Sequence, residues 1–248
     1  MTTSLGFPEL LDLVDERSAA LRKTVADAPD LTVRVPSCPD WTLSDLVDHL
    51  TAVHLFWASA VAAGPDFVPA RPEPETGLPL DRALANSEAA TAALLAALRE
   101  AGPDRPCWSW WRGGDTPSTR GTIARHQVQE AAVHAHDAQL AVGAPLPLPE
   151  RAALDGLDEF PDLYWPLSAP WPHAPVTVRL HATEGPSLSY DLAPAEPATP
   201  AQPPTTLELT GPASDLLLTL HRRRPPTGLL TTGDPALLDH LLSWTRLG

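Results

Sequence analysis

The sequence predicts a four-helix bundle followed by a smaller α+β domain. Up to Gly143, four segments of about 20 residues carry apolar side chains at helical spacing. From Pro175 onward the apolar period becomes two, which is typical of strands. A proline-rich run, A-P-L-P-L-P-E, separates the two patterns. We therefore expect a bundle over residues 1–145, a linker with a short helix over 146–174, and an α+β domain over 175–248.

Charge and composition exclude several classes of function. The formal net charge of -14 and the pI of about 4.9 argue against binding to nucleic acid or an anionic membrane. The chain has no uninterrupted apolar run of about 18 residues and no signal-peptide pattern at its start, so we expect a cytoplasmic protein. The two cysteines, Cys38 and Cys107, lack CxxC spacing and have no base beside them in sequence, so neither a zinc ribbon nor a cysteine nucleophile is predicted.

The first helix is predicted over residues 7–27, where apolar side chains recur at helical spacing after a proline suited to a first turn. The next segment reads V-R-V-P-S-C-P-D-W-T. Because Pro36 and Pro39 interrupt it, we predict a loop.

The second helix is predicted from a capping box, Thr42 with Asp45, to about Ala63. His49 projects from its apolar side, whereas His54 lies about 140° away and is predicted to face solvent. The apolar residues within about 80° of His49 are Leu46, Val53, Phe56, Trp57 and Ala60. A lone histidine in such a place is usually a core residue bonded to a carbonyl, and only a second group of ligand-type residues favours a site.

A third helix is predicted over residues 81–101, after a proline-rich connection at 64–79, and Gly102 ends it. A tryptophan-rich loop follows, with Trp108 and Trp111. These rings either line the mouth of a pocket and bind a cofactor, or pack in the interior.

The fourth helix, predicted between Thr119 and Gly143, carries the second group of ligand-type residues. Four side chains that can bind a metal or transfer a proton lie on one narrow stripe of this helix, with Val and Leu beside them. They are His126, Glu130, His134 and Asp137. A solvent-exposed helix face would not be expected to combine these polar residues so closely with Val and Leu. The pattern therefore indicates a buried polar site.

Facing helices of a bundle assemble metal sites from inward side chains. His49 with Glu130 and His134 gives two histidines and one carboxylate, a set found in catalytic zinc sites with an open position. The same donors suit Ni, Co or Fe(II), so another divalent metal stays open. Asp137 either orients an imidazole ligand or is a solvated acid near the helix end. His126 is a candidate fourth ligand or general base, or else a partly exposed histidine.

The second domain is predicted to have the order β-β-β-α-β-α. Its helix from Pro212 to about Arg222 ends in three arginines, Arg222, Arg223 and Arg224. They either bind a substrate carboxylate or are charges that the C-terminal helix dipole favours. Asp234-Pro235 predicts the start of a last helix.

Three segments resemble a known family. C-P-D-W-T-L-S-D-L-V-D-H-L and R-H-Q-V-Q-E-A-A-V-H-A-H-D-A resemble the two helical motifs of the mycothiol-dependent maleylpyruvate isomerase family, which belongs to the DinB-like metal-binding four-helix bundles. The tail L-T-G-P-A-S-D-L-L-L-T-L-H-R-R-R is similar to that family's sterol-carrier-like C-terminal domain. The resemblance implies zinc on His49, Glu130 and His134, an arginine among 222–224 near the active site, and mycothiol as the thiol. Mycothiol is actinobacterial, which agrees with a composition rich in Ala, Arg, Pro and Leu and holding one lysine.

The leading interpretation is a metal-dependent, mycothiol-using isomerase or S-transferase that acts on a small electrophile, with the carboxylate of the substrate met by an arginine. We expect a monomer or weak homodimer whose partners are this metabolite and the thiol, with no nucleic acid and no membrane. One alternative keeps the metal but activates water, which gives a hydrolase. Another is a non-catalytic metal- or ligand-binding protein, favoured if His126 fills the fourth metal position.

Overall fold

The computed structural model describes residues 5–70, 77–111, 116–196 and 204–247. The chain divides into two compact units, Leu5–Leu148 and a second unit that begins at Pro149. Parts of the predicted proline-rich and tryptophan-rich loops, at 71–76, 112–115 and 197–203, lie outside the described residues.

The first unit contains the four predicted helices. They are α1 (Phe7–Ala26), α2 (Leu43–Ala63), α3 (Leu80–Ala101) and α4 (Arg120–Ala141). Helix α1 packs mainly on α4, and α2 packs mainly on α3. The predicted capping box begins α2: Thr42 N–H donates to Asp45 Oδ2 at 2.8 Å, and Asp45 N–H donates to Thr42 Oγ1 at 3.3 Å. The predicted bundle is confirmed.

The segment predicted as a loop before α2 is instead a short antiparallel hairpin of β1 (Arg34–Val35) and β2 (Cys38–Thr42). The prediction was wrong because Pro36 lies in the turn, where no ladder hydrogen bond is needed, and Pro39 lies on a strand of a two-stranded ribbon, where both strands are edges. The side chain of Val35 is fully buried in the bundle core, which fixes the hairpin to the helices.

Helix α2 with its following turn, Leu43–Asp66, is long and apolar enough by composition to cross a membrane, with a mean hydropathy of 1.3. It contains charged residues, so the sequence criterion of an uninterrupted apolar run did not select it. Core helices of bundles meet the same test, and the fully buried side chains of α2, such as Leu46 and Leu50, lie in the core of the first unit. The hydropathy of α2 is therefore weak evidence for membrane insertion.

The described residues of the second unit form one mixed sheet, three α-helices and a 3-10 turn at Pro226–Gly228, and the predicted order β-β-β-α-β-α is confirmed. Its elements are α5 (Glu150–Tyr164), β3 (Val176–Ala182), β4 (Ser187–Leu192), β5 (Thr205–Gly211), α6 (Ala213–Leu220), β6 (Leu230–Thr232) and α7 (Pro235–Trp244). The sheet order is β4-β3-β5-β6, with β3 parallel to β5 and the other pairs antiparallel. Helix α5, which the sequence analysis placed in a linker, belongs to this compact unit.

Candidate metal centre

Helices α2 and α4 bring together the three predicted metal ligands. Nε2 of His49 lies 3.1 Å from Oε1 of Glu130, and Nε2 of His134 lies 3.4 Å from the same oxygen. The two imidazole rings meet edge to face at 4.9 Å between centroids. The side chains of His49 and Glu130 are 30% and 21% exposed and that of His134 is 8% exposed, so the cluster opens on the His49 side.

The geometry of the cluster fits a four-coordinate divalent metal. One ligand atom from each of the three residues lies within 4.8 Å of the other two. Zinc bonds of about 2.1 Å in a tetrahedron place neighbouring donors about 3.4 Å apart, close to the observed oxygen–nitrogen separations. Among the described residues, His49, Glu130 and His134 form the one group of at least three His, Cys, Asp or Glu side chains spaced closely enough to bind a metal ion together.

Asp137 contacts His134 on the side of the imidazole ring that faces away from Glu130. Nδ1 of His134 lies 3.0 Å from Oδ2 of Asp137, which leaves Nε2 directed at Glu130. Asp137 is fully buried, so the alternative of a solvated acid is wrong. Its other oxygen, Oδ1, accepts a hydrogen bond of 2.5 Å from the hydroxyl of Ser37 in the hairpin turn.

These contacts set the protonation of the metal-free cluster. Burial lowers the pKa of His134, but its hydrogen bonds to Asp137 and Glu130 outweigh burial and raise the pKa to about 9. Burial raises the pKa of Glu130, but hydrogen bonds from His134 and His49 hold that pKa well below its ordinary value. The raised pKa favours the protonated form of His134 beside the two carboxylates.

The sequence analysis did not select two residues that contact the ligands, Ser37 and Trp41. The Trp41 ring lies 4.5 Å from the His49 ring and 6.0 Å from the His134 ring between centroids. Both residues belong to the segment predicted as a loop. Their one signal in the sequence was a hydroxyl and a large aromatic ring close to the start of the helix that carries His49.

His54 is fully buried, so the prediction that it faces solvent was wrong. Its Nδ1 lies 3.1 Å from Oγ1 of Thr91 on α3, and burial lowers its pKa to about 4. The error comes from centring the buried face of α2 on His49. The fully buried residues of α2 centre about 100° from His49, because α3 covers that side, and His49 lies at the edge of the buried arc.

His126, Trp108 and Trp111 lie in an aromatic cluster of the first unit. The His126 ring is 5.4 Å from that of Trp110 and 5.5 Å from that of Trp111, and Trp108 contacts Trp57 at 5.9 Å. His126 is only 5% exposed, which rules out the partly exposed alternative, and burial lowers its pKa. It is not part of the group with ligand spacing. A catalytic role of His126 and cofactor binding by Trp108 and Trp111 stay predictions.

The three arginines follow α6, which ends at Leu220, two residues before the predicted end. Arg222 has a left-handed backbone with φ of 58° and donates to the carbonyl of Thr245. Arg223 donates to the carbonyl of His221 at 3.0 Å, and Arg224 pairs with Asp215 at 3.0 Å. Which arginine serves a substrate stays open.

Comparison with known proteins supports both units. The family model "Mycothiol maleylpyruvate isomerase N-terminal domain" matches residues 11–139, and the model "MDMPI C-terminal domain" matches residues 151–240. Two crystal structures, of the mycothiol-dependent maleylpyruvate isomerase and of a point mutant of it, share 16% identity with a TM-score of 0.64. Each alignment covers 92% of this chain and 93% of the matched chain. At this sequence identity, the match shows that the fold is similar. No curated protein sequence gives a significant match. Because the first family model spans more than half of the residues and the second covers most of the rest, the chain belongs to the mycothiol maleylpyruvate isomerase family.

Proposed function

We propose that this chain is a zinc-dependent enzyme that uses mycothiol to isomerise a small electrophile bearing a carboxylate, or that joins the thiol to that electrophile as an S-transferase. The observation that carries the proposal is the cluster of His49, Glu130 and His134 on facing helices, inside the unit that the family model matches. Two histidines and one carboxylate leave a position for an exogenous ligand on a four-coordinate metal.

His49, Glu130 and His134 would hold the zinc ion, whose positive charge would stabilise a coordinated thiol as its thiolate at neutral pH. The chain contributes the orientation of the ligands. Asp137 accepts a hydrogen bond from Nδ1–H of His134, so Nε2 would present its lone pair to a bound cation. Glu130 contributes a negative charge between the two imidazoles, which offsets part of the charge of the cation.

The nucleophile is proposed to come from the thiol and not from the chain. Cys107 is 2% exposed and its thiol donates to the carbonyl of Ala60, an arrangement typical of a structural cysteine. A substrate carboxylate needs a cation, and Arg222, Arg223 and Arg224 are the proposed source, with a planar guanidinium suited to bidentate contact.

The three-residue ligand group also favours catalysis over metal storage. A storage or sensing site has no need for an open position, and His126, the residue proposed to fill it, lies among tryptophan rings. A hydrolase remains the second candidate because the same donor set activates water in other enzymes.

The test is turnover of maleylpyruvate by the zinc-loaded full chain with mycothiol, with glutathione, and without thiol. We expect isomerisation that requires mycothiol and disappears when a chelator removes the metal. Alanine substitution of each arginine is expected to identify one position that costs on the order of 10²-fold or more in kcat, the scale of a lost electrostatic stabiliser.

The matched control is His181→Ala, which removes an exposed histidine of β3 bonded to Ser187. It should keep full activity. Turnover that is indifferent to thiol but abolished by chelation would instead favour the hydrolase, and metal-independent turnover would exclude both enzymes.

A further inference from the structure

We propose that the β1–β2 hairpin is a positioning element of the candidate metal centre, with Ser37 and Trp41 as its two positioning residues. Each acts on a different histidine, and neither is a metal ligand. The inference rests on the proposed metal centre and adds to it the part of the chain that holds the ligands in place.

Ser37 acts through Asp137. The buried carboxylate of Asp137 has both oxygens engaged, Oδ1 by the Ser37 hydroxyl at 2.5 Å and Oδ2 by Nδ1 of His134 at 3.0 Å. Two opposed hydrogen bonds fix the rotation of a carboxylate, and hence the direction from which it holds the imidazole. Without the hydroxyl, one desolvated oxygen loses this donor and the carboxylate can turn away from His134.

Trp41 acts on His49 directly. Their ring centroids lie 4.5 Å apart with a 40° tilt, and the same indole lies 6.0 Å from the ring of His134. His49 is 30% exposed, the highest value of the three candidate ligands, so its ring is the one with most freedom to leave the cluster. The indole limits that freedom on one side while Glu130 bonds Nε2 on the other.

The hairpin is rigid enough to serve this purpose. Val35 is fully buried in the core of the bundle, and Leu43 N–H donates to the carbonyl of Val33 at 3.1 Å. Arg34 Nη1 donates to the carbonyl of Asp40 at 2.8 Å, which ties the two strands together. The pairing of Val35 with Cys38 leaves Pro36 and Ser37 as the turn, in which Pro36 has a fixed φ.

The experiment measures zinc affinity of the full chain by competition with a chromophoric chelator, and records the visible spectrum of the Co²⁺ form. Ser37→Ala and Trp41→Leu are each expected to weaken zinc binding by about 10-fold or more, within the range for outer partners of metal ligands. The Co²⁺ spectrum should change in both. Ser37→Thr and Trp41→Phe, which keep the hydroxyl and the aromatic face, should restore most of the affinity.

Asp40→Ala is the matched control, since it truncates an exposed side chain on the same hairpin. The metal-free Tm separates positioning from general stability. A positioning role predicts that Ser37→Ala weakens zinc binding and changes the Co²⁺ spectrum while Asp40→Ala does neither, and that Ser37→Thr restores the zinc affinity and reverses any loss of Tm. Loss of Tm with unchanged zinc affinity and an unchanged Co²⁺ spectrum would overturn the inference.

A double-mutant cycle tests the route through Asp137. In an Asp137→Ala background, Ser37→Ala should cause no further loss of zinc affinity, because the group on which it acts is gone. Additive losses would overturn that route. A wild-type chain that binds no zinc would refute the metal centre itself, which is a different result from a zinc-binding chain that is indifferent to Ser37 and Trp41.

Discussion

At the scale of single residues, both ring nitrogens of His134 have a carboxylate partner in the metal-free chain. Asp137 holds Nδ1 and Glu130 faces Nε2, so the metal-free ring is a protonated bridge between two carboxylates. His49 has a different environment, since it lies at the edge of the buried face of α2 and contacts the ring of Trp41 at a tilt of 40°. The two histidines should therefore differ in what their loss does to the fold.

Alanine substitution separates these roles. We expect His49→Ala and His134→Ala to purify folded but metal-poor. His134→Ala should also lower the free energy of unfolding of the metal-free chain by about 1–3 kcal/mol, because it leaves Asp137 buried without its imidazole. His49→Ala should cost less. Elemental analysis and urea denaturation measure both effects, with His181→Ala as control, and full zinc occupancy in either variant would remove that residue from the ligand set.

His54 gives a pH dependence of stability through a buried histidine that is not one of the three candidate ligands. Its pKa is about 4 in the folded chain and about 6.5 when unfolded, so folding favours the neutral form. Its contribution is therefore fully present above pH 6.5 and is lost as the pH falls from 6.5 to 4. The loss reaches about 3 kcal/mol. Urea denaturation of metal-free wild type and His54→Gln between pH 4 and 7 should show a difference that shrinks in acid, and a constant difference would contradict the assignment.

At the scale of elements, the helix ends were predictable because single residues mark them. Thr42 with Asp45 begins α2, and Gly102 and Gly143 follow α3 and α4 with positive φ. The hairpin was not predictable from the same rules, since the penalty for proline in a strand applies to paired N–H groups and not to turns or edges. The part of the site that lies on α4 was predictable, because the helical repeat places Glu130, His134 and Asp137 on one stripe. Ser37 and Trp41 depend on tertiary packing, which phase does not describe.

The capping box of α2 should matter to stability. Thr42→Ala removes the acceptor for Asp45 N–H and is expected to cost about 1 kcal/mol in the free energy of unfolding. Thr51→Ala is the matched control, because that hydroxyl bonds the carbonyl of Val47 within the same helix and alanine is a better helix former. The two variants should differ by about 1 kcal/mol in urea denaturation of the metal-free chain. Equal stabilities would show that the cap contributes nothing.

At the scale of the whole molecule, the change of apolar period indicated the two folds, but the second unit begins at Pro149 and not at Pro175, because helix α5 belongs to it. The function of the second unit was harder to predict. Three consecutive arginines carry the same sequence signal, but in the structure Arg222 contacts the carbonyl of Thr245, Arg223 the carbonyl of His221, and Arg224 the carboxylate of Asp215. A choice among them needs kinetic data.

The division into two units leads to the last prediction. All three candidate ligands lie within Leu5–Leu148, together with Asp137 and the hairpin. The core that supports them is built from α1, α2, α3, α4 and β1. A chain shortened to end at Leu148 should therefore fold and bind zinc as tightly as the full chain.

The shortened chain should nevertheless lose mycothiol-dependent turnover by on the order of 10²-fold or more, because the proposed cation for the substrate carboxylate lies at Arg222–Arg224. Zinc titration and the maleylpyruvate assay, run in parallel on both chains, separate the two outcomes. The arginine variants of the full chain control for the effect of truncation itself. One of them should lose as much kcat as the shortened chain although its second unit is intact. A shortened chain that binds zinc and turns over as fast as the full one would place the whole active site in the bundle and remove the arginines from the mechanism.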